Sequence, residues 1–326
     1  MRVIWRIGAS AGVLLALVWI VNQLSFIRTK WQEYHTIPLA YDTATWKKGF
    51  GRSFEDWRRP RLVPLDQRRP SISDLAPQRG QHRASDQIAI DTASRTQIIV
   101  RDRVIVVGKR KHEDTNWVIE ELPDWSHAIY TVDDASQPLH VPKNKGKESS
   151  VYLQYIIDHY SHLPSTIVFL HSHRDGYPEA WHTEFDEHSN VNTVKLLKTD
   201  FVQRNGYANL RCNPDPGCPN EIQPFRASED KLPEVLFPVV WETFFNNTDV
   251  PEVVATACCA QFAVSREQVL KRPLSSYQRY QRWLMETNLS DDVSGRIMEY
   301  MWHIIFGQDP VYCPDMIQCL EDVYDM

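Results

Sequence analysis

"STIVFLHSHRDGYPEAWHTEF", residues 165–185, begins as an unbroken apolar run and then delivers three histidines, His171, His173 and His182. A short run rich in β-branched and aromatic residues reads as a strand buried on both faces. Such strands belong to sheets covered by helices, whose ligands gather beyond the carboxyl ends of the strands. His171 and His173 stand at that end, two positions apart. If the strand continues through them, both imidazoles point to one face. Imidazole suits zinc, iron, nickel or copper better than magnesium. His171 and His173 are therefore candidate ligands of a divalent metal ion, with His182 or His303 as a third. The competing reading is a pair of hydrogen-bonded residues in a polar cleft.

The neighbouring segments supply the rest of the sheet and its helices. "DRVIVVGKR" (residues 102–110) and "SHAIYTVDD" (126–134) are further strand candidates, and "DTNWVIEEL" between them has helical spacing. "GKESSVYLQYIIDHYSHL" (146–163) places Val151, Tyr155, Ile156 and Tyr160 on one helical face. "PEVVATACCAQFAVS" (251–265) holds one or two strands. "SSYQRYQRWLMET" and "SGRIMEYMWHIIFG" are helices, the latter closed by Gly307 with Pro310 beyond it. Alternation of this kind predicts an α/β fold with a mostly parallel central sheet flanked by helices.

The chain has 326 residues, of which 42% are hydrophobic and 11% aromatic, enough for one large core or two small ones. From Gly8 to Ile27 about 20 residues carry no charge, the length of a bilayer-spanning helix. A cleaved signal peptide is the rival. The Asn and Gln after the apolar part, with bulky Leu and Phe, make a poor cleavage site, so an uncleaved anchor is expected. The division expected is residues 1–27 as cytosolic tip and anchor, 28–95 as an extended stem, and 96–326 as the globular domain. Pro and Arg without sustained apolar periodicity mark the stem over residues 58–87. Residues 28–87 hold 12 Lys and Arg against 7 Asp and Glu. With Arg2 and Arg6 included, the overall charge of −6 leaves −13 for residues 88–326. So acidic a body argues against nucleic acid as the partner.

Two features favour a luminal body, in a type II membrane protein of the endoplasmic reticulum or Golgi. Asn246 and Asn288 begin glycosylation acceptor sequences. Of six cysteines, Cys212/Cys218 and Cys313/Cys319 each flank a short loop of turn residues, which reads as two local disulfides. Cys258 and Cys259, adjacent in an apolar stretch, read as buried thiols.

Glu299 and His303 are four residues apart, so a continuous helix would set them on one face as a general base and its partner, as metal ligands, or as a surface ion pair. Glu113 and Asp114 follow a strand, where a nucleotide base or ribose would bind, or where a helix dipole would hold them. Lys145, in "KNKGKE", is placed to bind phosphate at a helix start, or to be a solvated loop charge. Trp117, Glu148, Arg174, Trp181 and Trp302 complete the candidate substrate contacts; the tryptophans count because aromatic faces line sugar and small-molecule pockets as well as cores. No Walker loop, GxGxxG, HExxH or GxSxG occurs. Kinase, dehydrogenase and serine hydrolase readings therefore fall.

These same segments carry a resemblance. "VVGKRKHEDTNWV", "NKGKESSVYLQYIIDHYSHLP", "IVFLHSHRDGYPEAWH", "CCAQFAVSREQVLKRPLSSYQ" and "MEYMWHIIFG" together resemble, in order, a largely fungal family numbered 3431 among domains of unknown function. The layout is also similar, at fold level, to nucleotide-sugar transferases of the GT-A class. That similarity implies a nucleotide near the first strand, a metal motif at the end of a middle strand, and a base from a late helix. The chain departs from it at the metal motif, where His171-Ser172-His173 replaces Asp-x-Asp. The expected function is a membrane-anchored, luminal, glycosyltransferase-like enzyme acting on a nucleotide-sugar or small-molecule substrate, possessing Glu299 as base. A non-catalytic sugar-binding protein, or a histidine-metal enzyme acting on a small fungal metabolite, are the alternatives.

Overall fold

A computed structural model of the chain describes residues 102–226 and 231–326. The expected anchor and the stem lie outside the described residues, as does the start of the expected globular domain. Among the described residues no helix is long and apolar enough to cross a membrane.

The sheet is built on the three strands that the apolar runs predict. β1 (Arg103–Lys109) pairs in parallel with β2 (Ser126–Thr131) on one side and with β3 (Thr166–Leu170) on the other. The connection between β1 and β2 carries α1 (Asn116–Glu121), and α2 (Ser149–His159) precedes β3. All five residues of β3 are buried, as its unbroken apolar run requires. Beyond β3 come α3 (Asn190–Leu196), α4 (Thr199–Asn205) and the short strand β4 (Tyr207–Asn209). α5 (Leu232–Phe245) and β5 (Ala255–Thr256) then lead to β6 (Phe262–Ser265).

β6 runs antiparallel to both β3 and β4, giving the sheet order β2-β1-β3-β6-β4. The sheet is thus mixed, where a mostly parallel one was expected. The reason is local. Phe262, the first residue of β6, pairs with Phe169 and Asn209 near the carboxyl ends of β3 and β4. The chain reaches β6 at that edge, so it runs back with no crossover helix.

Helices cover both faces. On one face Val168 and Leu170 join Trp117, Val118, Val194 and Val202 in a single apolar cluster. On the other, aromatic rings meet in a chain: Tyr152 to Phe169 at 4.5 Å, Phe169 to Phe262 at 5.0 Å, and Phe262 to Trp302 at 5.5 Å. The second face is formed by α2, α7 (Leu274–Glu286, after the short α6, Arg266–Leu270), α8 (Asp291–Glu299) and α9 (Trp302–Ile305). Ser290 caps α8 by accepting from the Val293 N–H at 3.3 Å, and Asp291 and Asp292 lie in its first turn, where the helix dipole favours them. α8 stops at Glu299, and Tyr300 and Met301 separate it from α9. The single late helix expected from the sequence is therefore two, and Gly307 (φ 81) follows the second.

The cysteines join differently from expectation. Cys212 bonds Cys319, and Cys218 bonds Cys313. The two expected short loops are each left open, because β7 (Val311–Tyr312) pairs with β5 and brings Cys313 to Cys218. α10 (Met316–Tyr324) brings Cys319 into the apolar cluster beside Cys212. Cys258 and Cys259 bond each other rather than standing as free thiols.

These two long-range bonds span 107 and 95 residues, so in the chain-entropy model each contributes about 4–5 kcal/mol, more than a six-residue loop would. Non-reducing peptide mapping should recover Cys212–Cys319 and Cys218–Cys313 cross-links. Cys319→Ser should lower the unfolding free energy by about 2–5 kcal/mol in a denaturant titration. Recovery of Cys212–Cys218 and Cys313–Cys319 peptides would contradict this topology.

Candidate functional site

The order β2-β1-β3 reverses direction at β1, because the chain goes first to one side of it and then to the other. The crevice beyond the carboxyl ends of β1 and β3 is therefore the switch point at which open α/β sheets bind ligands. The tail of β3 enters this crevice. It leaves strand geometry after Leu170, yet the alternation of exposure persists: His171 and His173 are half-buried and Ser172 is buried. Ser172 faces the β1 side, where its hydroxyl donates to Glu113 at 3.0 Å and its carbonyl accepts from the Trp117 indole N–H at 3.2 Å.

His171 lies on the other side, toward the aromatic face. The Gln261 side chain holds it there, accepting from the His171 backbone N–H at 2.8 Å and donating to Asn190 at 3.2 Å. Asn190 in turn donates to the His173 carbonyl at 2.7 Å. Gln261 and Asn190 are both buried, so the histidine tail is fixed by amides that have exchanged water for each other.

Three further elements converge on His171. The first is the start of α2. Gly146 and Lys147 both take left-handed backbone angles, and an added Cβ on Gly146 would meet Leu284 at 2.6 Å. This turn aims Glu148 inward, with a carboxylate oxygen 4.0 Å from His171 Nε2. The second is the loop before β6. The Cys259 N–H donates to Glu299 at 2.6 Å, so the end of α8 is tied to the vicinal disulfide. Arg296 holds the other Glu299 oxygen at 3.0 Å and also pairs with Glu221. The third is the segment after β3, where His182 sets its ring 4.6 Å from that of His171. Nε2 of both histidines is buried without a hydrogen-bond partner. Trp181, 39% exposed, forms the rim and lies over the Arg211 guanidinium at 5.0 Å.

The electrostatics follow from this packing. Burial pushes the Glu148 carboxyl up to about 8, and the negative charge of Glu299 adds to the rise, against the opposing pull of its own backbone amide and of Lys147. Burial holds His171 well below the usual imidazole range, helped by His182 and His173, and holds His182 down to about 4. At neutral pH the crevice therefore presents a protonated carboxyl, a second carboxyl and two neutral imidazoles. That set can donate and accept protons in one place.

Several expected contacts have other work. Glu299 and His303 do not form a pair, because the helix breaks between them. His303 is fully buried, with Nε2 3.1 Å from the Pro310 carbonyl and a pKa pushed down to about 4 by burial. Lys145 is buried, donates to the Leu289 carbonyl and lies 3.6 Å from Asp291, so its ammonium is not open to phosphate. Trp117 and Trp302 are core residues. Arg174 makes a two-point ion pair with Glu121, at 2.6 and 3.0 Å, on the surface. Glu113 also accepts from the Arg110 N–H at 2.7 Å, and Asp114 from the Asn116 N–H at 2.9 Å, bonds that shape the turn into α1. Among the described residues, the group of three metal-type donors within 4.8 Å is Cys258, Cys259 and Glu299. His171, His173 and His182 do not bring their nitrogens together in that way, so the expected histidine metal centre is not assembled.

The residues missed by sequence reading are Gln261, Asn190, Arg211 and Arg296, whose roles come from distant partners. A signal did exist for Gln261: a lone amide next to the cysteine pair at the mouth of an apolar strand.

The pH dependence of stability separates the two kinds of shifted group. Between its ordinary value near 4.5 and 8, Glu148 is protonated when folded and ionised when unfolded, so its contribution is lost as pH rises through that window. His182 and His303 are neutral when folded and charged when unfolded between about 4 and 6.5, so theirs is lost as pH falls. Melting temperatures measured from pH 4 to 9 should therefore pass through a maximum, and Glu148→Gln should flatten the alkaline side and steepen the acid side, where the two windows overlap. An unchanged alkaline side in that variant would contradict the environment described for Glu148.

Neither curated proteins nor solved structures yield a significant match to the chain. A family described as "Protein of unknown function (DUF3431)" matches residues 105–322, which include all but the first two residues of the described strands and the residues of the crevice. Covering two thirds of the sequence, that match makes the chain a member of the DUF3431 family.

Proposed function

We propose that the chain is a glycosyltransferase-like enzyme, anchored by its N-terminal apolar segment with the body in the lumen of the secretory pathway. The observation that carries this reading is the carboxyl pair at the switch point. Glu148 is pushed up to about 8 by burial with the Glu299 carboxylate nearby, and a carboxyl that keeps its proton next to a second, oriented carboxylate suits an acid and a base. Glu299, oriented by Arg296 and the Cys259 N–H, takes the proton of an acceptor hydroxyl. Glu148, protonated at neutral pH, donates to the leaving group. The buried, unpaired Nε2 atoms of His171 and His182 supply hydrogen bonds to a phosphate or a sugar hydroxyl that reaches them. Trp181 offers an exposed aromatic face for a sugar ring. Three disulfides, and the exposed positions of Asn246 and Asn288, suit an oxidising, glycosylating compartment.

A sugar-binding protein without catalysis is the second reading. It is favoured by the bonds that already occupy Glu113 and Lys145, two of the expected donor contacts.

A thermal-shift panel of nucleotide-diphosphate sugars and free glycans, followed by transfer assays with the hits, separates these readings. A nucleotide-diphosphate sugar should stabilise the protein. Glu299→Gln and Glu148→Gln should each keep that binding while lowering turnover about 10²–10⁴-fold, the usual worth of a positioned acid or base. Stabilisation by free glycan alone would overturn the enzyme reading in favour of the second, and no response to either class would remove both.

A further inference from the structure

The bond between Cys258 and Cys259 differs from the other two disulfides in what it does for the fold. It joins adjacent residues, the smallest loop available, so it removes little entropy from the unfolded chain. The backbone beside it is unfavourable: Cys259 has φ 88 and the following Ala260 φ 52, left-handed angles that neither side chain favours. Cys258 is buried and Cys259 half-buried. A strained, entropically weak cross-link, held next to an oriented carboxylate, is an unusual way to stabilise a loop.

The surrounding atoms suggest its use. Both sulfurs and a Glu299 oxygen lie within 4.8 Å of one another. Glu299 is held in place by Arg296 and the Cys259 N–H, independently of any bond to sulfur. We infer that Cys258, Cys259 and Glu299 form a redox-gated binding site for a thiophilic divalent cation such as zinc, closed in the disulfide form and opened by reduction.

The chemistry balances with a dithiol as reductant. Its two thiols pass two electrons and two protons to the Cys258–Cys259 bond, leaving two cysteine thiols and an oxidised, cyclic reductant. The cation then displaces the two thiol protons and binds two thiolates and the Glu299 carboxylate. Two sulfurs and one carboxylate match the ligand preferences of zinc, and three protein ligands leave the fourth tetrahedral position to water. In the disulfide form the sulfurs are neutral and bonded to each other, and the carboxylate alone cannot hold the ion. This inference goes beyond the glycosyl-transfer reading and does not depend on it.

The test uses the full chain and cobalt(II) as a spectroscopic probe in place of zinc. Protein is reduced anaerobically with dithiothreitol, desalted and titrated with cobalt, alongside an untreated sample. Reduced protein should bind cobalt with a thiolate-to-cobalt charge-transfer band in the near ultraviolet, which zinc then abolishes; untreated protein should show no band. Cys258→Ser/Cys259→Ser should lose the band, and Glu299→Gln should weaken binding at least tenfold with the number of titratable thiols unchanged. A readout independent of any variant comes from alkylation of the reduced wild-type chain. Zinc should protect Cys258 and Cys259 from iodoacetamide while leaving Cys218 and Cys313 open. Equal cobalt binding before and after reduction, survival of the band in the double variant, unaltered affinity in Glu299→Gln, or protection of other cysteines instead would each overturn the inference.

Discussion

One side chain holds the crevice together. Gln261 accepts from the backbone of His171 and donates to Asn190, while its own carbonyl accepts from the Leu210 N–H at 3.0 Å. It thereby joins the tail of β3, the residue after β4 and the start of α3. A buried amide with all of these partners is stable only when each is present, since any one left unpaired costs about 1–3 kcal/mol. The reversal of β6 places Gln261 at this point, immediately after the turn through Cys259 and Ala260. Strand direction, the disulfide loop and the position of His171 are therefore a single constraint.

From that constraint the chemistry follows. With the β3 tail fixed, His171 packs against Glu148 at the start of α2, Nε2 4.0 Å from its carboxylate, and leaves that side chain little contact with water. The Cys259 amide, fixed by the same turn, orients Glu299 at the end of α8. Desolvation first, and the negative charge of Glu299 with it, keep the proton on Glu148. The long disulfides act further out, tying the residue after β7 and α10 back to the segment that follows β4.

Much of the framework was legible in the sequence, because its signals are local. The apolar run at 166–170 is a buried strand and the histidines lie at its end. α7, with strong amphipathic spacing, falls where periodicity puts it, and α2 does so although it is buried on more than one face. What was not legible depends on tertiary pairing. Cysteine partners were assigned from short spacings, yet β7 and α10 carry Cys313 and Cys319 to distant partners. The Glu299–His303 pairing assumed an unbroken helix, and the break at Tyr300 and Met301 separates a crevice residue from a core one. Lys145, read as a phosphate contact, is turned inward to Leu289 and Asp291. Glu148 is an ordinary glutamate in sequence, and only its enclosure by His171 and Glu299 sets it apart.

The central claim is that this enclosure keeps Glu148 protonated at neutral pH, and a site-resolved titration tests it most directly. Side-chain carboxyl carbons of the glutamates are labelled with ¹³C, and the Glu148 resonance is assigned by its loss in Glu148→Gln. Its chemical shift is then followed against pH. The account predicts a midpoint near 8 for this one carboxyl. A midpoint near the ordinary value of about 4.5 would show Glu148 open to solvent, and the crevice would not be the acid–base site described here.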